Sequence, residues 1–177
     1  MTRLERFTTD GTSRERLDEI RRLCDLAFEG DFSAQDWSHA VGGSHIVAID
    51  DGAVVAHAAV VPRLIEVAGR PFRTGYVEAV ATDPARQRRG LGSYVMAETA
   101  IVVRSEYELG ALSTGLYDFY GRLGWERWQG PTYVRHGSGL IRTEEEDDGV
   151  MVLRFGPSAN ISLTDAISCE ARSVDDW

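Results

Sequence analysis

Apolar residues along the chain follow two periods, and the switches between them mark the elements. Residues 4–8 read as a short first strand. Leu17, Ile20, Leu23, Ala27 and Phe28 then recur at helical spacing; Thr12 with Glu15 reads as a capping box opening that helix, and Gly30 ends it. Ser33 and Asp36 suggest a second, short helix. Gly42-Gly43 breaks the chain before the apolar run 45–49. Asp51-Gly52 is a hairpin turn into 53–61, and a turn at Gly69-Arg70 separates 64–67 from Phe72 and the run 75–82. Residues 45–82 therefore read as an antiparallel meander.

The last of these strands, Gly75-Tyr76-Val77-Glu78-Ala79-Val80-Ala81-Thr82, stops at Asp83-Pro84, because proline cannot extend a ladder and restricts the residue before it. Next comes a basic, glycine-bearing turn, Arg86-Gln87-Arg88-Arg89-Gly90-Leu91-Gly92-Ser93. Leu91, Val95, Thr99 and Val102 follow at helical spacing. Strand, glycine turn and helix is an arrangement that aims unpaired backbone N–H groups at a phosphate. The turn is not a P-loop, since all 19 basic residues are arginine; nor is it a dinucleotide fingerprint, since Val95 stands where the third glycine belongs. A solvated arginine loop is the plainer alternative.

Downstream, Leu109–Ser113 is a short strand reached by a crossover, hence parallel to 75–82. Residues 116–123 predict a helix with Leu116, Tyr120 and Leu123 on one face, which makes a core tyrosine the structural reading of Tyr120. Gly130-Pro131 is a turn, 143–149 an acidic loop, and 150–155 a strand. Residues 162–177 carry no clear pattern. Yet the chain ends in Ser173-Val174-Asp175-Asp176-Trp177, and an indole left in water is costly. The tail is therefore expected to fold back, with Trp177 packed.

The 177 residues suit one domain, 1–177, and include 28 acidic against 19 basic residues, a formal charge of −9. That balance argues against a nucleic-acid partner and favours cationic ligands. No apolar run approaches the ~20 residues of a membrane span, so a cytoplasmic protein is expected, with no membrane partner. Cys24 and Cys169 lack redox or metal spacing. His39, His45, His57 and His136 lack metal-ligand spacing, and His57 reads as a packed histidine with no assigned role.

Gln87-x-x-Gly90-x-Gly92 resembles the pyrophosphate-binding turn of the GNAT N-acetyltransferases, and Phe119-Tyr120-x-x-x-Gly124-Trp125 resembles a second segment common in that superfamily. Within it, Gly30-Asp31-Phe32 with Asp36-Trp37, Ala56-His57-Ala58-Ala59-Val60, Gly75-Tyr76-Val77-Glu78, Asp147-Asp148-Gly149 and the terminal Asp175-x-Trp177 are similar to the aminoglycoside 2′-N-acetyltransferases. The resemblance implies an α+β GNAT fold. Its central sheet is mostly antiparallel, with a parallel strand pair splayed at the acetyl-CoA site and helices on both faces. It implies acetyl-CoA as cosubstrate, held by Val80, Ala81, Thr82, Gln87, Arg88, Arg89, Gly90, Leu91 and Gly92, with no metal. Asp31, Asp36, Glu78, Ala79, Ser113, Asp148, Asp175 and Trp177 are expected to meet a polycationic aminoglycoside, with the Trp177 carboxylate facing a substrate amine. A homodimer is implied on the same ground. Glu78 is the candidate base or an ammonium-binding carboxylate, and Tyr120 the candidate acid. The segment between Ser113 and Tyr120 is shorter than in the family, which keeps Tyr117 open for that role. Acetylation of another amine, such as a polyamine, peptide or cell-wall aminosugar, stays open as well, as does a non-catalytic acyl-CoA- or aminosugar-binding module.

Overall fold

Turn chemistry sets the strand pairing. In the computed structural model, which describes residues 1–177, Asp51 (φ 52°) and Gly52 (φ 84°) are both left-handed, the geometry whose twist suits a two-residue hairpin. With β1 at Arg3–Thr8, they join β2 (Ser44–Asp50) to β3 (Ala53–Val67). Ala68 (φ 48°) and Gly69 (φ 76°) repeat the device before β4 (Arg70–Thr82), one residue earlier than the sequence suggests. Residues 53–61 and 64–67 form one continuous strand through Pro62. Proline is tolerated there because the ladder to β2 ends at Val60, and the next one begins only where Ser168 pairs with Glu66.

The chain packs as two units: residues 1–61 with 77–102, and residues 62–76 with 103–177. The first unit holds β1, β2, α1 (Arg14–Ala27), α2 (Ala34–Ala40) and most of α3 (Leu91–Glu106). Here β1 and β2 pair antiparallel, as do β2 and β3. Ile20, Leu23 and Cys24 of α1 close over Val47, Ile49, Val54 and Ala81, with Phe32 completing the cluster. Full burial of each large side chain contributes roughly 1.5–3 kcal/mol. The cap of α1 is Ser13, whose Oγ accepts from the Arg16 N–H at 3.3 Å. Thr12 does not cap the helix because it closes the preceding 3-10 turn, Thr9–Gly11. Ser33 and Asp36 do form a capping box at α2. Phe28 does not join the buried face of α1 but stacks on Phe32 at 5.4 Å.

In the second unit, β4 and β5 (Leu109–Ser113) run parallel through three pairs, Thr74–Leu109, Gly75–Gly110 and Tyr76–Ala111. After α4 (Tyr117–Gly121) come β6 (Glu126–Arg127), β7 (Thr132–His136), β8 (Gly139–Arg142), β9 (Val150–Leu153) and β10 (Ile167–Glu170). The ladder order is β6-β9-β5-β4-β3-β10-β7-β8. A second parallel pair, β7 with β10, comes from the segment that carries no sequence pattern. The sheet is thus mixed, as an α+β fold requires. Gly110 is needed for packing: a Cβ there would lie 2.9 Å from Leu153 Cβ and 3.1 Å from the Trp125 ring. The helix predicted over 116–123 is only five residues long. Leu116 is its exposed cap rather than part of a buried face, and Gly124 (φ 89°) turns the chain so that the Trp125 N–H bonds the Tyr120 carbonyl.

Candidate active site

The first unit carries the glycine turn. Asp83 accepts from the Ala85 N–H at 2.9 Å, and Arg86 pairs with Asp50 and Asp83, so Arg86 braces the turn from behind. Arg88 and Arg89 are exposed. Arg88 (φ 60°) and Gly90 (φ 80°) are left-handed, and no atom lies within 4 Å of where a Gly90 Cβ would stand. The Gly90 carbonyl accepts from the Tyr94 N–H at 2.9 Å. Leu91, Gly92 and Ser93 therefore form the first turn of α3, where N–H groups have no intrahelical acceptor and the helix end is electropositive. Open space, two cations and free amides suit a pyrophosphate. Just upstream, Glu78 is half-buried at the left-handed Ala79 (φ 49°), while Val80 and Thr82 flank the buried Ala81.

Asp36 and Asp31 differ. The Asp36 carboxylate accepts from the Ser33 N–H at 2.7 Å and is committed to capping. Asp31 is exposed; its N–H bonds the Phe28 carbonyl where α1 ends.

The second unit carries Tyr120, 6% exposed and edge-on to Phe119 at 4.9 Å and Trp125 at 6.4 Å. Burial pushes its phenol up to about 12. Tyr117 is instead covered by the Arg127 guanidinium, 3.8 Å from its ring centre. Ser113 ends β5, exposed, with its Oγ against Gly149.

The acidic loop and the tail share one electrostatic neighbourhood. Asp147 is spoken for: it pairs with Arg142 and accepts from the Thr132 N–H and Oγ1–H at 2.9 Å, bonds that hold its carboxyl far below the usual range. Asp148 is exposed and bridges loosely to Arg127 at 3.3 Å. Both line an open cavity of 790 Å³ with Trp128, Gln129 and Glu144. Trp177 is 3% exposed, and its Nε1–H donates to Thr143 Oγ1 at 3.3 Å. Arg172 ties down the tail, donating to the carbonyls of Asp175 (2.6 Å) and Trp177 (3.0 Å). The Trp177 carbonyl oxygen thus faces a guanidinium, where the resemblance implies a substrate amine. Glu146 titrates above its ordinary range, through burial first and then the charges of Asp175, Glu145 and Asp176.

Comparison with known proteins decides the family. The model of the acetyltransferase (GNAT) domain matches residues 9–128. An aminoglycoside 2′-N-acetyltransferase from Mycolicibacterium fortuitum is 42% identical over 173 residues, covering 96% of this chain and 89% of that protein. The chain belongs to the aminoglycoside 2′-N-acetyltransferase branch of the GNAT acetyltransferases. Solved GNAT structures share the fold. One from Escherichia coli in complex with CoA superposes with a TM-score of 0.66 at 18% identity, covering 96% of this chain and 88% of that one. One from Brucella melitensis in complex with acetyl-CoA gives 0.61 at 20%, covering 93% and 94%.

For a GNAT acetyltransferase, the first unit brings together Glu78, Ala79, Val80, Ala81 and Thr82 on β4, and Gln87 through Gly92 on one turn. The second groups Asp175 and Trp177 with the unforeseen Glu146, Asp176 and Arg172, and sets Asp148 on the cavity wall. The acidic run 143–149 signals Glu146, but only tail packing separates it from its solvated neighbours. No helix is long and apolar enough to cross a membrane.

Proposed function

We propose that this GNAT acetyltransferase moves the acetyl group of acetyl-CoA onto the 2′-amino group of aminoglycoside antibiotics, with residues 1–177 serving as one catalytic domain. Family membership supports the chemistry. The observation that carries the substrate class is the 42% identity, over 96% of the chain, to an aminoglycoside 2′-N-acetyltransferase; the grouping of Glu145, Glu146, Asp175 and Asp176, whose charges add to burial in raising the Glu146 carboxyl, fits it. A polyammonium ligand relieves such repulsion, and at ~4 Å with an effective dielectric near 20 each ion pair is worth roughly 4 kcal/mol before desolvation.

Bound acetyl-CoA supplies an activated thioester. The Gln87–Gly92 amides and the Arg88 and Arg89 side chains bind its pyrophosphate, and the Val80–Thr82 amides align the pantetheine arm and polarise the thioester carbonyl. Glu78 takes a proton from the substrate ammonium, through water, leaving the amine lone pair to form the new N–C bond as the C–S bond breaks. Tyr120, protonated throughout the working range, gives its phenol proton to the departing sulfur and regains one from the second proton that the acylated nitrogen sheds. Tyr117 is the less suited of the two, because the Arg127 guanidinium occupies its face. Asp31, Asp36, Ser113, Asp148, Asp175 and the terminal carboxylate contact the antibiotic. Asp36 and the terminal carboxylate do so with oxygens already shared with Ser33 and Arg172. The reading extends, on family resemblance, to a homodimer in the cytoplasm.

Thiol release from acetyl-CoA across a panel of amines tests it. The expected result is turnover with 2′-amino aminoglycosides at higher kcat/KM than with polyamines, peptides or simple aminosugars. Preference for any of those would assign the chain another acceptor.

A further inference from the structure

Two histidines for which the sequence supplies no task are fully buried in the first unit: His45 on β2 and His57 on β3, both 0% exposed. They belong to a hydrogen-bonded chain whose donors can be assigned one by one. Its fixed end is the Ala79 carbonyl, which only accepts, 2.8 Å from His57 Nδ1; that nitrogen therefore carries a proton. In the neutral ring His57 Nε2 is an acceptor, 3.0 Å from His45 Nδ1, which donates to it. His45 Nε2 is left to accept from the Thr9 hydroxyl at 2.9 Å. Thr9 Oγ1 in turn accepts from the Gly42 N–H at 2.8 Å. Every imidazole nitrogen has a partner, and the donations run one way, ending at Ala79.

The surroundings keep both rings neutral. Phe7 stacks 5.8 Å from the His45 ring and Trp37 lies at 6.4 Å. Cys24 of α1 also lies against His57, its Sγ at 4.0 Å from Nδ1 and its thiol pushed up to about 12 by burial. Burial lowers His45 to about 4. Burial and then His45 lower His57 to about 3, against the bond to Ala79.

Ala79 needs such a partner. An alanine at φ 49° in mid-strand adopts a conformation that L-residues keep only when their surroundings hold it. Glu78 precedes it by one peptide, and Val80, Ala81 and Thr82 follow. We propose that His57, backed by His45, is a positioning residue for acetyl transfer: it clamps the Ala79 carbonyl and so fixes the backbone that aims the Glu78 carboxylate and the Val80–Thr82 amides. The inference rests on the roles given above to Glu78 and those amides. The chain is a clamp and not a proton wire, because a carbonyl has no proton to pass on.

Two measurements test it. Nitrogen-15 spectra of the histidines should show both rings as Nδ1–H tautomers with no titration between pH 5 and 8; an Nε2–H tautomer, or a midpoint inside that range, overturns the assignment. His57→Leu should lower kcat roughly 10- to 100-fold, the scale of a small misplacement of reacting groups, with a smaller change in KM for acetyl-CoA. His57→Asn, whose amide N–H replaces Nδ1–H, should recover most of the loss. In a Glu78→Gln background His57→Leu should cost clearly less than it does in the wild type, the remainder acting through the Val80–Thr82 amides. A folded His57→Leu enzyme with wild-type kcat, no recovery by Asn, or a full further loss in the Glu78→Gln background each overturns the clamp. Should His57→Leu fail to fold, Thr9→Val, which breaks the far end, should lower kcat about two- to fivefold, and an unchanged kcat overturns it. If Glu78→Gln alone is as active as wild type, the base assignment fails separately.

Discussion

The glycine turn of the first unit and the acidic corner of the second handle charge in opposite ways. The turn presents backbone: left-handed Arg88 and Gly90, a fresh helix end, and two exposed arginines, while Arg86 is absorbed by Asp50 and Asp83. The corner presents side chains, and most of them are engaged with one another, Asp147 with Arg142 and the tail carbonyls with Arg172. A diphosphate is a constant ligand that amides can recognise. A polycation would be met by carboxylates set near one another, as Glu145, Glu146, Asp175 and Asp176 are. The first device should therefore fail all at once when its backbone is blocked, and the second should weaken by degrees.

The largest effect is expected at the turn. Gly90→Val puts a β-branched residue at φ 80°, a region closed to it, and should lower coenzyme A affinity by at least ~100-fold, taking a loss of phosphate contacts at about 3 kcal/mol or more. Calorimetry on the folded variant checks this, and unchanged affinity would remove the turn from the site. Glu78→Gln should come next, lowering kcat/KM about 10²-fold, a typical general-base contribution. A rise in KM alone would leave Glu78 as a binding carboxylate. Asp175→Asn, an exposed change whose amide oxygen can still accept from the Trp177 N–H as Asp175 Oδ1 does at 3.2 Å, should raise the aminoglycoside KM a few-fold, with coenzyme A affinity unchanged, since one partly solvated ion pair is worth about 1 kcal/mol. No change in KM would separate the tail from the substrate surface. Arg88→Ala should be mildest: a two- to fivefold weaker coenzyme A complex, fading as salt is added. A loss as large as that of Gly90→Val would mean that the turn works by charge rather than by backbone.

The same contrast explains what could be read in the sequence. Asp51-Gly52, Gly90 and the Leu91–Val102 spacing each state a backbone requirement, and the structure places a turn or a helix at each. Thr12 and Ser13 are both good caps; the choice fell to Ser13 because a 3-10 turn consumed Thr12. The strand β10 was illegible because four residues paired between β3 and β7 need no periodicity of their own. Asp147 and Asp148 are neighbours of one type, yet only the structure separates a structural carboxylate from an exposed one. The histidine clamp was hidden by register. A two-residue turn at Asp51-Gly52 with no irregularity pairs His45 with Ala58 and puts His57 on the opposite face. The shift between Ala48 and Ile49 pairs His45 with Ala59 instead, which makes His57 a diagonal neighbour on the same face.

The central claim is acetyl transfer to one particular amine, and one pair of substrates tests it most directly. Two aminoglycosides differing only in a 2′-amino or a 2′-hydroxyl group would be given with acetyl-CoA, and free thiol and product mass followed. The account predicts one thiol and one acetyl group per molecule of the 2′-amino compound, carried on the 2′-nitrogen by NMR, and no turnover of the hydroxyl twin. Equal turnover of the two, or an acetyl group on any other nitrogen, would contradict it.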